Sequence, residues 1–309
     1  MMELDELRIF QAVLQEDGIT RAAQRLHRVQ SNVTTRLRQL EDKLGVALFL
    51  REGKRLVPTA AAWRLNDYAQ RLLDLAEEAR LAMADAAPSG RLRLGAMEST
   101  AAARLAPVLA DYHARYPAVQ LELQTGESRT LTVGVLDGRL DAALVSGPLD
   151  DDRLEQIVVA VEDIVLVAAA ARGAPSLEEL ADSTLLTFGS GCSYRQRLEA
   201  WLRRQGVQPR RIVELGSYHA MLSCVACGMG LALLPQALLD SMPQMAAQVS
   251  THALPDDLSR APTLLIRRRQ ARQPALHALE TMLLECAWKG EAAWELTQII
   301  DLKYLPNGK

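Results

Sequence analysis

Residues 20–55 constrain this chain more than any other segment, because they combine two short helical patterns, a tight turn and a dense cluster of positive charge. Nine Lys and Arg residues outnumber three acids there, although the whole chain of 309 residues has a formal net charge of −3. Charge concentrated in this way on a compact helical unit predicts a docking surface for an anionic polymer.

The hydrophobic periodicity at the amino end predicts three helices in succession. The first stops near Gly18, and Thr20 is expected to cap the second, which contains Ala22, Ala23 and Leu26. A third helix is expected over residues 30–44. The apolar face of the first helix consists of Leu4, Leu7, Phe10, Val13 and Leu14.

The third predicted helix has two faces of opposite character. Apolar residues recur at intervals of four, three and four, which buries one side; they are Val33, Leu37, Leu40 and Leu44. The other side is polar and consists of Ser31, Asn32, Thr35, Arg38 and Gln39. A helix that is anchored on one side and polar on the other is suited to the major groove of DNA.

A tight β-turn is predicted directly after this helix. Gly45 closes the helix, and Val46, Leu48 and Phe49 are expected to return to the core. Residues 51–55, with Gly53 at the tip, predict a wing that carries basic side chains beside the helix.

Past Pro58 a heptad pattern begins, with Thr59 as the expected cap of a long helix. Its apolar positions alternate steps of four and three over residues 59–87. They are Leu65, Ala69, Leu72, Ala76, Ala79 and Met83. Such a stripe needs a partner, and the simplest partner is a second copy of the chain, so these six residues are predicted to form a dimer seam.

From residue 91 onward, strand and helix patterns alternate, which predicts a parallel sheet flanked by helices and an α/β fold overall. Predicted strands cover residues 91–95, 119–125, 141–145, 157–161, 164–169, 184–188, 212–215, 231–234 and 263–267. Predicted helices cover residues 101–116, 131–137, 194–205, 218–227 and 275–287. We expect two lobes, about residues 91–162 with 263–290 and about residues 163–262, which enclose a cleft.

Composition excludes several classes of protein. The first ten residues are acidic and amphipathic, unlike a secretory signal, and no apolar run is long enough to span a bilayer, so we expect a cytoplasmic protein with no membrane partner. Four cysteines do not make a disulfide framework. Cys224 and Cys227 form a CxxC pair with no second pair at metal-ligand spacing, so core packing is expected, with no metal and no cofactor.

Three runs near the amino end resemble the LysR-type transcriptional regulators: residues 20–27, residues 30–34, and residues 40–49 followed by Arg51 and Arg55. The resemblance extends to about residue 288. It implies a winged helix-turn-helix over residues 1–58, a linker helix over 59–87, and an effector-binding domain over 91–290 that resembles type 2 periplasmic binding proteins. Residues 291–309 exceed the family's usual end and have no assigned role.

Two positions depart from the family pattern. Val29 stands where the family usually has Ser, so Gln30 or Ser31 is expected to substitute for the missing cap. Residues 59–62 read Thr-Ala-Ala-Ala where the family usually has Thr-Pro-Ala-Gly, which keeps the cap and firms the helix. Within the family the chain looks similar to regulators of putrescine utilisation, on the strength of residues 98–102, 192–195 and 217–219.

The resemblance implies which residues contact DNA. Residues in or beside the major groove are Gln30, Ser31, Asn32, Thr34, Thr35, Arg36 and Arg38. Arg51, Lys54 and Arg55 are expected to contact phosphate or the minor groove from the wing. The implied partners are duplex DNA with an inverted-repeat operator, a small-molecule effector, RNA polymerase, and further copies of the chain in a homodimer or homotetramer.

Loops at the carboxyl ends of the strands are expected to bind the effector. They provide Glu98, Ser99, Thr100, Thr125, Gly126, Ser146, Gly147, Cys192, Ser193, Tyr194, Tyr218 and His219. Glu98 and Glu127 suit a cationic amine, such as a polyamine or an amino-acid metabolite, whereas Arg195 and the helix N-termini favour a carboxylate. The charge of the effector, the operator sequence and the direction of regulation stay open.

Two rival functions fit parts of the sequence. A solute-binding protein would share the two-lobed domain, but it would need an export signal and no basic amino-terminal domain. A hydrolase using Cys192 or Ser193 with His219 lacks nucleophile-elbow spacing such as GxSxG. We therefore expect no catalytic residues and a protein that is not an enzyme.

Overall fold

The computed structural model describes residues 2–52, 55–82, 87–170, 173, 175–269, 271, 273–286 and 288. The chain forms two compact units, Met1–Ala86 and Ala87–Lys309. The predicted extension over residues 291–309 lies outside the described residues.

The first unit consists of four helices and a two-stranded hairpin. Its elements are α1 (Leu4–Gln15), α2 (Ile19–Arg25), α3 (Gln30–Leu44), β1 (Phe49–Glu52), β2 (Arg55–Pro58) and α4 (Ala60–Ala82). One apolar cluster holds them together, built mainly from α1, α2 and α3 with Leu48, Ala62 and Ala69. The hydrophobic periodicity of the sequence therefore located all four helices.

The start of α2 differs from the prediction. Gly18 is the residue before the helix, and Thr20 is the second residue within it, so Thr20 as the cap is wrong. The chain reverses through Asp17 at φ 51° and Gly18 at φ 156°. This reversal lets the Gly18 N–H donate to the Val13 carbonyl and the Gly18 carbonyl accept from Ala22, so the turn sets the first residue of the helix.

Helix α3 has the predicted bounds and closes at Gly45 in the left-handed region, φ 67°. Val33, Leu37 and Leu40 are buried, but Leu44 and Val46 are exposed, so their predicted burial is wrong. Leu44 is the last residue of α3 and Val46 follows the closing Gly45, so both lie at the end of the helix, outside the apolar cluster. Val29 gives no side-chain cap, and no bond from the side chain of Gln30 or Ser31 replaces it within the described residues, so that predicted substitution is wrong. The Val29 carbonyl accepts only the ordinary first hydrogen bonds of the helix, from the Asn32 and Val33 amides.

Strands β1 and β2 form the predicted wing. They pair antiparallel from Phe49 with Pro58 to Glu52 with Arg55. The predicted tip, Gly53, lies outside the described residues.

Helix α4 begins with the predicted cap and packs on α1. The Thr59 hydroxyl oxygen accepts a hydrogen bond from the Ala62 N–H at 3.2 Å. The Gln11 side chain of α1 donates to Gln70 at 3.0 Å, and Ala62 and Ala69 are fully buried beside it. The amino-terminal half of α4 is thus part of the core of its own unit.

The second unit alternates strands and helices in two lobes. Its first elements are β3 (Gly90–Ala96), α5 (Glu98–Thr100), a π-helical turn (Ala101–Leu105), α6 (Ala106–Arg115), β4 (Val119–Thr125), α7 (Ser128–Leu136), β5 (Ala142–Ser146) and β6 (Leu154–Ala169). There follow α8 (Leu177–Asp182), β7 (Thr184–Thr187), α9 (Ser193–Arg204), β8 (Arg211–Glu214), α10 (Tyr218–Ala226), β9 (Leu231–Pro235), α11 (Gln236–Asp240), α12 (Pro243–Ala246), β10 (Val249–His252), α13 (Asp256–Ser259), β11 (Arg260–Arg268) and α14 (Pro274–Glu285).

In the described part of this unit, nine strands form one hydrogen-bonded network. Their order is β4-β3-β5-β11-β6-β9-β7-β8, with β10 paired to β6 off this path. Strand β6 pairs with β11 in lobe 1 over its first ten residues and with β9 in lobe 2 from Ile164 onward. Strand β11 returns to lobe 1 beside β5, as predicted.

Residues 157–161 and 164–169, predicted as two strands, are one continuous strand, β6. The pattern suggested a break because Glu162 and Asp163 interrupt the apolar residues where the strand passes between the lobes. The predicted helix over residues 101–116 begins earlier, at Glu98, and includes the π-helical turn. The short helices α8, α11, α12 and α13 and strand β10 were not predicted, because segments of four to six residues carry little periodicity.

Candidate functional site

The outward face of α3 is polar and accessible. Gln30, Ser31, Asn32, Thr35 and Arg38 are all exposed. Two further residues assigned to DNA contact, Thr34 and Arg36, are half-buried. The Thr34 hydroxyl donates to the Gln30 carbonyl at 2.9 Å, so this hydroxyl hydrogen is used within the helix.

Most of the positive charge in residues 20–55 is already paired with acids. The N–O pairs are Arg28 with Asp5 at 2.7 Å, Arg36 with Glu3 at 3.5 Å, Lys43 with Glu6 at 2.6 Å, Arg25 with Glu16 at 3.0 Å and Arg21 with Asp17 at 4.0 Å. Three of these acids belong to the start of α1. Burial alone would raise the pKa of Glu6, but the Lys43 ammonium and the Glu3 N–H hold that pKa below its usual value.

Two arginines of this basic segment, Arg38 on α3 and Arg51 on β1, make no ion pair with any residue that the structure describes. Lys54 lies outside those residues, and only the backbone of Arg55 is described. The free positive charge therefore stands on the exposed face of α3 and on the wing, although the sequence shows a much broader cluster.

One concave surface joins the helix and the wing. Gln30 and Thr34 of α3 and Arg51 of the wing line it together with Thr20 and Arg21 of α2, around a volume of about 970 Å³. Thr20 and Arg21 were not among the residues assigned to DNA contact. Their place at the start of α2 beside the basic turn is the signal that could have included them.

The predicted dimer seam is divided between two environments. Ala69 is fully buried in the core of its own unit and Leu65 packs against that core, so Ala69 cannot meet a second copy. Leu72 is 39% exposed, and Ala79 is exposed too. Ala76 is half-buried, and Met83 lies outside the described residues.

The exposed apolar stripe of α4 lies on a slightly different face of the helix from the predicted dimer seam. Tyr68 is 62% exposed and Leu75 is 60% exposed, and both flank Leu72 at helical spacing. Residues 65, 68, 72, 75 and 79 keep the alternation of three and four residues that defines a heptad stripe. The face without a partner in its own unit is therefore centred on Tyr68, Leu72 and Leu75.

The two lobes of the second unit enclose a cavity of about 340 Å³. Eight of the twelve residues assigned to the effector line it: Glu98, Ser99, Thr125, Gly126, Cys192, Ser193, Tyr194 and Tyr218. They come from the carboxyl ends of β3 and β4 in lobe 1 and from the starts of α9 and α10 in lobe 2. The topological rule for α/β sheets thus located loops that line the cavity.

Four assigned residues do not line the cavity. Thr100 is buried within its own lobe, and Ser146 donates its N–H to the Ser128 hydroxyl oxygen at 3.3 Å. A side chain at Gly147 would collide with Leu264, so this glycine packs against β11. His219 is exposed, because it follows Tyr218 on α10 and points roughly 100° around the helix from it.

Five further residues line the cavity: Glu127, which the sequence also favoured as a partner for a cationic amine, and Met97, Ser128, Phe188 and Gly216, which were not predicted. Each lies within two residues of an assigned loop or strand end, so extending each loop would have found them. Phe188 and Tyr218 meet edge to face, with ring centroids 4.6 Å apart. The cavity thus has an aromatic wall in lobe 2.

Three of the residues that line this cavity carry buried hydroxyl groups. The Ser99 hydroxyl interacts with the phenols of Tyr194 and Tyr218, whereas the Ser193 hydroxyl oxygen has no hydrogen bond within the described residues. Burial raises the pKa of the Tyr194 and Tyr218 phenols, which keeps both neutral as hydrogen-bond donors. A buried hydroxyl without a partner, such as that of Ser193, costs free energy.

The acids of the cavity contact the opposite lobe. Burial raises the pKa of Glu98, against the lowering effect of a hydrogen bond from the Tyr218 N–H. The Glu127 carboxylate lies against Gly189 and Gly191, where an added Cβ at Gly189 would be 2.6 Å from Glu127 Oε1. Lobe 1 therefore presents two carboxylates to the loops that begin α9 and α10.

The Cys192 thiol shows no sign of activation. Burial raises the pKa of Cys192, and the nearby Glu127 carboxylate raises it further. Cys224 is half-buried in lobe 2 as expected, but Cys227 is exposed, so its predicted core packing is wrong. It is the residue that closes α10, before the chain turns into β9.

A winged helix-turn-helix unit followed by a two-lobed α/β unit with a cleft defines a DNA-binding regulator that senses a small molecule. Residues 4–63 match the description "Bacterial regulatory helix-turn-helix protein, lysR family", and residues 85–287 match "LysR substrate binding domain". The chain belongs to the LysR family of transcriptional regulators.

Known relatives cover nearly the whole chain. It is 37% identical to the HTH-type transcriptional regulator CzcR of Bacillus thuringiensis subsp. konkukian, over 87% of this chain and 92% of CzcR. It is also 37% identical to the regulator GltR of Bacillus subtilis, over 91% of this chain and 95% of GltR.

Solved structures share the fold. A full-length OxyR variant from Pseudomonas aeruginosa aligns with a TM-score of 0.70 at 23% identity, covering 93% of this chain and 96% of that one. CbnR in complex with its target DNA aligns with a TM-score of 0.62 at 22% identity, covering 91% and 99%. The predicted fold class and the predicted family are confirmed. Within the described ranges, no helix combines the length and apolar character needed to cross a membrane.

Proposed function

We propose that this LysR-family regulator reads operator DNA with the exposed face of α3 and responds to a small polar metabolite in the cleft of its second unit. The observation that carries the proposal is the free charge on α3 and the wing. Arg38 and Arg51 have no acidic partner among the described residues, and they stand beside an exposed row of amide and hydroxyl side chains. Phosphates and base edges are the groups that such a surface binds.

The side chains divide between two tasks. Gln30 and Asn32 can pair with adenine and Arg38 with guanine, each good pair giving about 1–3 kcal/mol of discrimination. Ser31 and Thr35 supply adaptable hydroxyls beside them. Arg51, with Lys54 and Arg55, contacts the phosphate backbone or minor groove.

Thr34 and Arg36 serve position more than base recognition. The Thr34 hydroxyl is bonded to the Gln30 carbonyl, and Arg36 is directed toward Glu3 of α1. These contacts fix the orientation of α3 on its own unit. We therefore assign to Thr34 and Arg36 a role in positioning α3, in place of direct contact with bases.

The regulator acts as a homodimer or a homotetramer that is built on α4. Tyr68, Leu72, Leu75 and Ala79 form the seam, and Ala69 remains in the intrachain core. Two recognition helices related by twofold symmetry would read an inverted repeat. A metabolite that prefers one arrangement of the assembly shifts the spacing of these helices, and the regulator acts on RNA polymerase at the promoter in the cytoplasm.

The rival functions have less support. A solute carrier has no use for a winged helix-turn-helix. A hydrolase needs an activated nucleophile, yet burial raises the pKa of Cys192 and His219 does not line the cavity. We therefore propose that the cleft binds its metabolite without converting it.

Selection of bound duplexes from a random DNA pool by the full chain tests this function. We expect enrichment of one sequence with twofold symmetry and salt-sensitive affinity. Arg38→Ala should weaken affinity for that sequence without lowering the dimer content. An enriched sequence with no symmetry would overturn the dimer model of recognition, and no enrichment at low salt would overturn DNA reading itself.

A further inference from the structure

The charged side chains that line the cleft have one sign. Glu98 and Glu127 both line it, and no Lys, Arg or His does so within the described residues. Two carboxylates in a partly buried space repel an anion and favour the entry of a cation, because the interaction is screened less than at the surface.

The nearest candidate for an anion-binding residue is already neutralised. The Arg195 guanidinium lies 2.7 Å from Glu199 and 2.6 Å from Glu214, and it also donates to the Phe188 carbonyl at 3.1 Å. It does not line the cavity. Capturing a carboxylate with Arg195 would require breaking these contacts, so the residue that favoured an anionic effector in the sequence is not available.

The remaining wall suits an organic cation. Phe188 and Tyr218 form an aromatic corner in lobe 2, and aromatic faces attract ammonium groups. Ser99, Ser193 and Tyr194 add hydroxyl groups to the lining, and a hydroxyl oxygen can accept a hydrogen bond from the N–H group of an amine. A small carbon chain would meet the apolar part of the same wall, including Met97.

We infer that the cleft takes a small organic amine in its protonated form, with Glu98 and Glu127 as the carboxylates that bind the ammonium nitrogen. This inference rests on the proposed function, because it assigns the chemical class of the metabolite that the cleft senses. The same two carboxylates contact the amide of Tyr218 and the loop of Gly189 and Gly191. An amine that binds these carboxylates therefore changes the contacts between lobe 1 and the starts of α9 and α10.

Isothermal titration of the full chain with linear diaminoalkanes, their monoamine counterparts and dicarboxylates of equal chain length tests the inference. At least one amine should bind and the dicarboxylates should not. Glu98→Gln and Glu127→Gln should each lower amine affinity by on the order of tenfold to a hundredfold, the usual contribution of a charge-assisted hydrogen bond. Glu178→Gln, an exposed acid on α8, is the matched control and should leave affinity unchanged.

A second variant protects the test against misfolding of the acid variants. Gly189→Ala keeps both carboxylates but pushes the Glu127 carboxylate away, and we expect weaker amine binding with a native circular dichroism spectrum. Binding of dicarboxylates in place of amines, no binding of any amine, or equal amine affinity in the Gln variants would overturn the inference. DNA selection by the wild-type chain reports separately on the proposed function.

Discussion

Replacing Arg51 by Ala should reduce the salt dependence of DNA binding far more than replacing Arg25 by Ala. Both substitutions remove one formal positive charge from the same small unit. The two arginines differ in their surroundings, because Arg25 lies 3.0 Å from Glu16, whereas Arg51 has no ion pair among the described residues. Only a side chain that neutralises a phosphate releases the counterion bound there.

The expected change in salt dependence follows from the difference in ion pairing between Arg25 and Arg51. Each phosphate contact contributes about 0.9 to the slope of log affinity against log salt concentration, so a dimer with two copies of Arg51→Ala should lose about 1.8 from the slope. Across a salt range of about fourfold, this loss corresponds to a salt-induced affinity change that is roughly twelvefold smaller than in the wild type. Arg25→Ala should leave the slope nearly unchanged.

Fluorescence anisotropy of a labelled duplex, titrated with each variant at several salt concentrations, measures both slopes. Thermal melting of each variant shows that the comparison is made on folded protein. If Arg25→Ala lowered the slope as much as Arg51→Ala, the ion pairs with acids would not decide which charges meet DNA, and the reasoning would fail.

Three further predictions concern the helices and the cleft. Leu75→Asp should dissociate the oligomer in size-exclusion chromatography and leave the melting temperature of the DNA-binding unit nearly unchanged. Ala69→Asp should unfold that unit, because Ala69, unlike Leu75, is in its core. Intact oligomers of Leu75→Asp would contradict the exposed seam. Thr59→Ala should cost about 1 kcal/mol in chemical denaturation, against almost nothing for Thr20→Ala, because only Thr59 caps a helix. Burial raises the pKa of Glu98, so amine affinity should fall as the pH is lowered through that raised value, and calorimetry on Glu98→Gln should show a weaker pH dependence.

The sequence predicted the local structure of the amino-terminal unit well. The bounds of α3 follow from buried residues at steps of four and three and from a glycine in the left-handed region at its end. Thr20 misled the prediction because a favourable capping residue stood next to a glycine reversal, and the reversal decided where the helix begins. Capping propensity depends on the local sequence alone, so it does not include the hydrogen bond from the Gly18 N–H to the Val13 carbonyl of α1.

Contacts between distant segments could not be predicted from patterns within one segment. The count of nine basic residues was correct, but Glu3, Asp5 and Glu6 neutralise several of them from a different helix. The same limit applies to α4, where Ala69 fits a dimer seam and an intrachain core equally well by spacing.

In the cleft, the loops were predictable and the individual side chains were not. Strand ends identify which loops converge, whereas the direction of a side chain depends on its rotation around a helix start. Tyr218 and His219 are neighbours in sequence, yet one is buried at the cavity and the other faces solvent. The charge of the cleft became evident only when Arg195 was seen bound to Glu199 and Glu214.

Strand β6 limits how the two lobes can move. It spans sixteen residues without a break and hydrogen-bonds to β11 as far as Asp163 and to β9 from Ile164 onward. Sliding the lobes apart would sever ladder bonds at both ends, while torsion about the strand axis preserves them. The register shift at Thr263 and Leu264 lies beside this crossing, where bulges increase local twist. Ligand binding in this protein should therefore change the relative orientation of the two lobes by a small rotation about the axis of the continuous strand β6.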